Sequence, residues 1–218
     1  MRSVIRQRFM KYAAIAKCSL LRDEQLTELY FGYGANLSQK RFENYRMANE
    51  FHGPAVLYDH KIAYSQPCEY RGKGYANVEE HGGGQVWGVV YALSETSIAL
   101  MDILEWVPFS FYDRVKKEVT IERTGERTTV WSYVSASPRS GLRPSEHYRE
   151  LILSESVSYG FPRHYIEEIR NVQVANEFAI DPEFNLACPA KPRRWASKYP
   201  ILAGVHDAMR EKIAEILP

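Results

Sequence analysis

Two glycines spaced by one tyrosine, in Leu29-Tyr30-Phe31-Gly32-Tyr33-Gly34-Ala35-Asn36-Leu37, mark the stretch whose residue types most directly suggest chemistry. Tyr and Phe at its start suit a pleated, half-buried strand. The residues after it, Ser38-Gln39-Lys40-Arg41-Phe42, read as the start of a helix with Ser38 as N-cap. A strand feeding a glycine turn at a helix N-terminus leaves several backbone N–H groups unpaired and aimed the same way. Such a place suits an anion or a developing oxyanion. The same spacing also serves a tight turn whose glycines meet backbone geometry alone, and the motif by itself leaves both readings open.

Other chemistries find less support. The six histidines (His52, His60, His81, His147, His164, His206) contain no HxH or HExxH arrangement, which argues against a metal site. Cys18, Cys68 and Cys188 are odd in number and far apart, which points to a reducing compartment without a disulfide frame. Gly72 and Gly74 make a bare GxG with no helix after it, a weak dinucleotide signal. Net charge is +1, from 28 basic and 27 acidic residues. No basic excess exists to neutralise phosphates, so nucleic acid is not an expected partner. No run approaches the roughly 18 apolar residues that span a bilayer.

The N-terminus differs from the rest. Residues 1–22 carry Arg2, Arg6, Arg8, Lys11, Lys17 and Arg22 and no acidic residue, interleaved with apolar side chains. This resembles an organelle transit peptide or a basic surface helix, although an extension packed on the domain is the plainer reading. The expected location is the cytoplasm, with organelle targeting open.

The elements that would position the glycine turn follow in order. Residues 55–66 alternate as a half-buried strand, residues 79–84 read as a turn, and residues 85–93 form a nearly continuous apolar run expected at the centre of a sheet. Gly88 inside that run implies a bulge or a close backbone approach. Ser94 caps a helix expected to run to about Glu105, with Ile98, Met101 and Leu104 on its core face and Pro108 ending it. Strands at 112–122 and 128–134 flank a hairpin turn at Thr124-Gly125-Glu126. A helix opens at Pro144-Ser145 and stops at Gly160, and another starts at Pro162. After Val174 a proline-rich arm leads to a last helix. The pattern is α+β.

Five markers then occur in one order: Tyr33-Gly34-Ala35-Asn36-Leu37, Gln85-Val86-Trp87-Gly88-Val89-Val90-Tyr91, residues 100–107 (LMDILEWV), Pro144-Ser145-Glu146-His147-Tyr148 and Tyr159-Gly160-Phe161-Pro162. Together they resemble the gamma-glutamylcyclotransferase family, across about Tyr30 to Val172. The resemblance implies a small mixed β-barrel with surrounding helices at 29–174, a basic extension at 1–28 and an arm at 175–218. It implies conversion of a γ-glutamyl amine into 5-oxoproline and a free amine, without a cofactor. It also implies an acid/base glutamate at Glu105 and substrate contacts at Tyr33, Gly34, Ala35, Asn36 and Leu37, with pocket tyrosines at Tyr112 and Tyr148. A small γ-glutamyl molecule is then the expected partner, and a homodimer stays open.

The chemistry accounts for these residue types. The substrate's α-amine attacks its own γ-carbonyl, so proximity is already large. The protein has only to move a proton and hold an oxyanion. One carboxylate serves both proton transfers. Glu105 stands among Leu104, Trp106, Val107, Phe109 and Phe111, an apolar setting of the kind that disfavours charge, whereas a surface glutamate at a helix end is the ordinary alternative. Tyr112 and Tyr148 serve either as hydroxyl donors or as core rings. Ala35 stands where the family usually has serine, and Trp106 where it commonly has glycine. These departures, with the two extensions, suggest a larger leaving amine. An inactive binding or scaffold protein using the same pocket is the rival reading.

Overall fold

The computed structural model describes residues 25–107, 110–175, 179 and 181. The basic leader, Cys18, Cys188 and most of the proline-rich arm therefore lie outside the described residues. Five strands form a closed barrel in the order β1-β3-β2-β4-β5: β1 Leu26–Gly32, β2 Asn49–Pro67, β3 Gly74–Ser94, β4 Tyr112–Ile121 and β5 Arg127–Ser135. All pairings are antiparallel except the closing one, β1 with β5, which is parallel at Tyr30 and Trp131. Four helices surround it: α1 Gln39–Asn44, α2 Glu95–Leu104, α3 Glu146–Ser158 and α4 Arg163–Arg170. Among the described residues no helix is long and apolar enough to cross a membrane.

The apolar run at 85–93 is the second half of β3, flanked by β1 and β2. It fills the barrel wall because Val86, Val89, Val90, Tyr91 and Leu93 are all buried. The turn expected at 79–84 takes another form. β2 and β3 stay paired on both sides of it, from Tyr58 with Gln85 to His60 with Glu80, so the extra residues bulge out of a continuous ladder. Left-handed backbone at Asp59 (φ 56°) and Gly83 (φ 77°) makes the bulge, and the Gly83 amide donates to Asp59 Oδ1 at 2.9 Å. The same kink breaks the alternation expected of β2 and leaves Tyr58 exposed.

Local chemistry sets the helix ends. Ser94 Oγ accepts from the Ser97 amide at 3.1 Å, and Ser145 Oγ from the Tyr148 amide at 3.2 Å. Ser38 does occupy the N-cap of α1 but makes no capping bond with its side chain. Gly160 ends α3 in the left-handed region at φ 69°. The hairpin at Gly125 closes β4 onto β5 as its sequence implies, with the Ile121 amide on the Glu126 carbonyl at 2.8 Å.

Gly88 marks a close approach. A Cβ there would stand 2.5 Å from the Gly32 carbonyl oxygen and 2.5 Å from the Phe31 ring. Both neighbours are fixed, one as backbone and one as a fully buried core ring. Gly88→Ala is therefore expected to lower stability by about 1–3 kcal/mol, the cost of overpacking. A shift of the urea midpoint at constant slope measures it, and an unshifted midpoint contradicts this packing.

Candidate active site

β1 ends at Gly32, and the chain turns through Gly34 into a single 3₁₀ turn, Ala35–Leu37. The turn is tight enough that a Cβ at Gly32 would meet the Asn36 carbonyl oxygen at 2.5 Å. It delivers Tyr33, Gly34, Ala35 and Asn36 to one cavity of about 430 Å³, which Glu105, Tyr112 and Tyr148 also line. Leu37 stays apart from the others. Its side chain is buried in the core at 1% exposure, and its amide donates to the Gly34 carbonyl at 3.0 Å, so neither faces the cavity.

Glu105 caps the C-terminus of α2, its amide on the Met101 carbonyl at 2.8 Å. Its side chain is 13% exposed. Asn36 Nδ2 donates to Glu105 Oε1 at 2.9 Å and to the Tyr30 hydroxyl at 2.7 Å. Arg41 Nη2 lies 3.7 Å from the same Oε1. The purely apolar setting read from the neighbouring sequence is thus corrected: residues distant in the chain surround this carboxylate with donors. Two buried polar atoms beside it, Asn36 Oδ1 and Arg41 Nε, have no hydrogen-bond partner.

The two tyrosines divide their labour. Tyr112 donates its hydroxyl to the Ala76 carbonyl at 2.9 Å, so that proton is committed to the barrel wall. Tyr148 instead accepts from the Ala76 amide at 3.3 Å and from the Ala35 backbone. Its own proton is left to donate elsewhere. Burial pushes its phenol up to about 12, with the amides of Ala76 and Ala35 pulling the other way, so it stays protonated at neutral pH. A Cβ on Gly34 would stand 3.0 Å from both the Tyr148 hydroxyl and the Ala76 Cβ, so any larger residue there presses on the Tyr148 side chain. Tyr33 fixes the loop by donating to the Tyr133 carbonyl at 2.5 Å.

Arg41, Tyr30 and Tyr133 escaped sequence reasoning. Arg41 stands on the first turn of α1, five residues after Asn36, and only the return of that helix over the loop shows its place. Trp106, noted as unusual in sequence, is the first residue beyond the α2 cap and is left-handed at φ 57°. Glycine ordinarily takes that position, and a bulky residue there costs about 1–2 kcal/mol.

Known proteins similar to this chain include gamma-glutamylcyclotransferases. The AIG2-like family model matches residues 85–169, from β3 to α4. Gamma-glutamylcyclotransferase of Bos taurus is 29% identical over 150 residues, 66% of this chain and 78% of that one. The enzyme of the same name from Mus musculus is 29% identical over 159 residues, 70% of this chain and 81% of its own. A solved gamma-glutamyl cyclotransferase superposes with a TM-score of 0.63 at 26% identity, over 72% of this chain and 94% of the other. The chain is similar to gamma-glutamylcyclotransferases in sequence and in fold. An uncharacterised Homo sapiens protein shares the fold, with a TM-score of 0.64 at 24% identity over 73% of this chain and 95% of that one.

Behind the cavity, α2 is anchored to the barrel by Asp102, one turn before Glu105. Its buried carboxylate takes the Arg114 guanidinium at 3.2 Å and the Tyr133 hydroxyl at 2.9 Å. Burial pushes the Asp102 carboxyl up from 3.8 to about 6, against the opposing pull of Arg114 and Tyr133. Between those two values the native chain keeps a proton that the unfolded chain has released. This group's contribution to stability therefore falls as pH rises through the window and is level on either side, by about 3 kcal/mol in all. Urea unfolding of wild type and Asp102→Asn across pH 3–8 checks it: the variant loses this slope, and parallel profiles contradict the assignment.

Proposed function

We propose that the chain cyclises a γ-glutamyl amide, releasing 5-oxoproline and a free amine, with Glu105 as the acid and base. One observation carries this reading: the glycine loop holds the Glu105 carboxylate through Asn36 at 2.9 Å, inside the cavity that the loop itself lines. Relatives named gamma-glutamylcyclotransferase support it.

The steps follow from the groups present. Both protein contacts to the carboxylate fall on Oε1, which leaves Oε2 to take a proton from the substrate's α-ammonium. The freed amine attacks the γ-carbonyl carbon, a carbon–nitrogen bond forms, and the carbonyl oxygen becomes an oxyanion. The Tyr148 hydroxyl and the loop amides of Gly34 and Asn36 stabilise that charge. The Leu37 amide takes no part, because it is already bonded to Gly34. Glu105 then returns its proton to the departing nitrogen as the oxyanion collapses to the lactam carbonyl and the original amide bond breaks. It takes the second proton from the ring nitrogen, and that proton leaves on the released amine as its ammonium. Proton transfer of this kind contributes about 10²–10⁴-fold. Arg41 sets the charge of the site and gives the substrate's α-carboxylate a cationic neighbour.

Purified protein incubated with a panel of γ-glutamyl amino acids and amines, with mass-spectrometric detection of 5-oxoproline, tests the reading. Glu105→Gln is expected to lower kcat by about 10²–10⁴-fold with an unchanged thermal midpoint. Tyr148→Phe is expected to lower it by about 10²-fold or more, as for loss of one preorganised oxyanion donor. Full activity in Glu105→Gln rules the mechanism out. A wild type that binds γ-glutamyl compounds but never turns them over favours an inactive binding protein.

A further inference from the structure

The cavity's apolar wall has no part in the cyclisation steps. We propose that Trp106 and Phe111 form an aromatic subsite for the group carried on the departing nitrogen, so that γ-glutamyl amides of aromatic or bulky apolar amines are preferred. The inference rests on the cyclisation reading and specifies its substrate class.

Trp106 occupies its position against the preference of the backbone. It follows the α2 cap with φ 57°, its amide on the Ile103 carbonyl at 3.1 Å, in the place where a helix-ending glycine belongs. A bulky side chain in the left-handed region is an outlier, and such outliers gather at ligand sites. Four residues on, Ser110 is left-handed too, at φ 56°. The Phe111 amide closes onto the Trp106 carbonyl at 3.2 Å. That closure brings the two rings together, with centroids 6.4 Å apart and planes tilted by 50°. Both residues line the cavity, as does Leu104 on the other side of Glu105.

Position then fixes the direction. A γ-glutamyl head is polar, with an ammonium and a carboxylate, and its partners are Asn36, Arg41, Tyr148 and the loop. The departing nitrogen must come within hydrogen-bond reach of Glu105 to receive its proton. Trp106 and Phe111 line the same cavity as Glu105, apart from the polar groups assigned to the head, and the proposed subsite sets the substituent on that nitrogen against this wall. Flat aromatic groups pack well on such rings.

The test compares kcat/KM for γ-glutamyl-benzylamide, γ-glutamyl-methylamide and γ-glutamyl-alanine in wild type, Trp106→Gly and Trp106→Phe. Wild type is expected to favour the benzylamide by about 10–100-fold. Trp106→Gly should shrink that ratio to within about threefold, while its thermal midpoint holds or rises, because glycine relieves the left-handed backbone. Trp106→Phe should keep most of the preference. If Trp106→Gly does not fold, Trp106→Asn, which also tolerates the left-handed region, takes its place. A wild-type ratio near one, or a ratio that Trp106→Gly leaves unchanged, overturns the subsite and makes the ring a packing residue. Absence of 5-oxoproline from every compound instead overturns the cyclisation reading itself.

Discussion

One amide group ties the site together. Asn36 Nδ2 donates to Tyr30 near the end of β1 and to Glu105, 69 residues further along the chain at the end of α2. Topology makes the meeting possible. β1 pairs with β3 from Leu26 opposite Ser94 to Gly32 opposite Val89, and α2 starts directly after Ser94. The helix therefore leaves β3 beside the start of β1 and runs back along it. Ten helical residues rise about 15 Å, whereas the six steps of β1 cover about 20 Å. The length of α2 is thus matched to the strand it accompanies, and Asp102 locks it there through Arg114 and Tyr133.

The polar cluster at this meeting point is a poor investment in stability taken alone. Asn36 is 8% exposed, and its Oδ1 lacks a partner, as does the buried Nε of Arg41. A buried polar atom left unpaired is worth about 1–3 kcal/mol of lost stability. Beyond its bond to the buried Tyr30 hydroxyl, this cluster adds little to an aromatic and aliphatic core that includes Phe31, Leu37 and Phe42. Polar atoms unsatisfied beside a half-sheltered carboxylate fit a place shaped for a ligand rather than for folding. The strain at Trp106 belongs to the same pattern, since it falls on the residue adjoining that carboxylate.

Much of the fold was legible in sequence because its signals are local. Ser94 and Ser145 announced their helices through caps that the structure forms, Gly125 announced its hairpin, and the apolar density of residues 85–93 announced an internal strand. Gly88 signalled a close approach, and β1 passes there. The failures were non-local. The glycines at 82–84 read as a turn, since nothing in sequence shows that β2 and β3 stay paired past them and absorb them as a bulge. Arg41 and Tyr30 looked like an ordinary helix residue and an ordinary strand residue, and only the fold carries them to Glu105. Leu37 was grouped with its neighbours by adjacency, whereas the 3₁₀ turn rotates it into the core. The apolar neighbours of Glu105 in sequence suggested a dry environment, but Asn36 and Arg41 arrive from another part of the chain.

Ala35 follows from how the loop is built. A serine would bring a hydroxyl to this position, yet the loop's contact with Tyr148 comes from the Ala35 backbone. Main-chain donors depend on the path of the chain, and that path is set by Gly32, Gly34 and the bond from the Leu37 amide to the Gly34 carbonyl. A small side chain at 35 preserves all three. The two glycines are less replaceable: a Cβ on Gly32 would strike the Asn36 carbonyl at 2.5 Å, and one on Gly34 would press on the Tyr148 hydroxyl at 3.0 Å. The polar end of the cavity is therefore written in backbone geometry and tolerates change at 35. Its apolar end is written in the side chains of Trp106 and Phe111, where substitution alters shape directly. On the proposed reading, that division lets selectivity for a departing group change by side-chain replacement without disturbing the loop that holds Glu105.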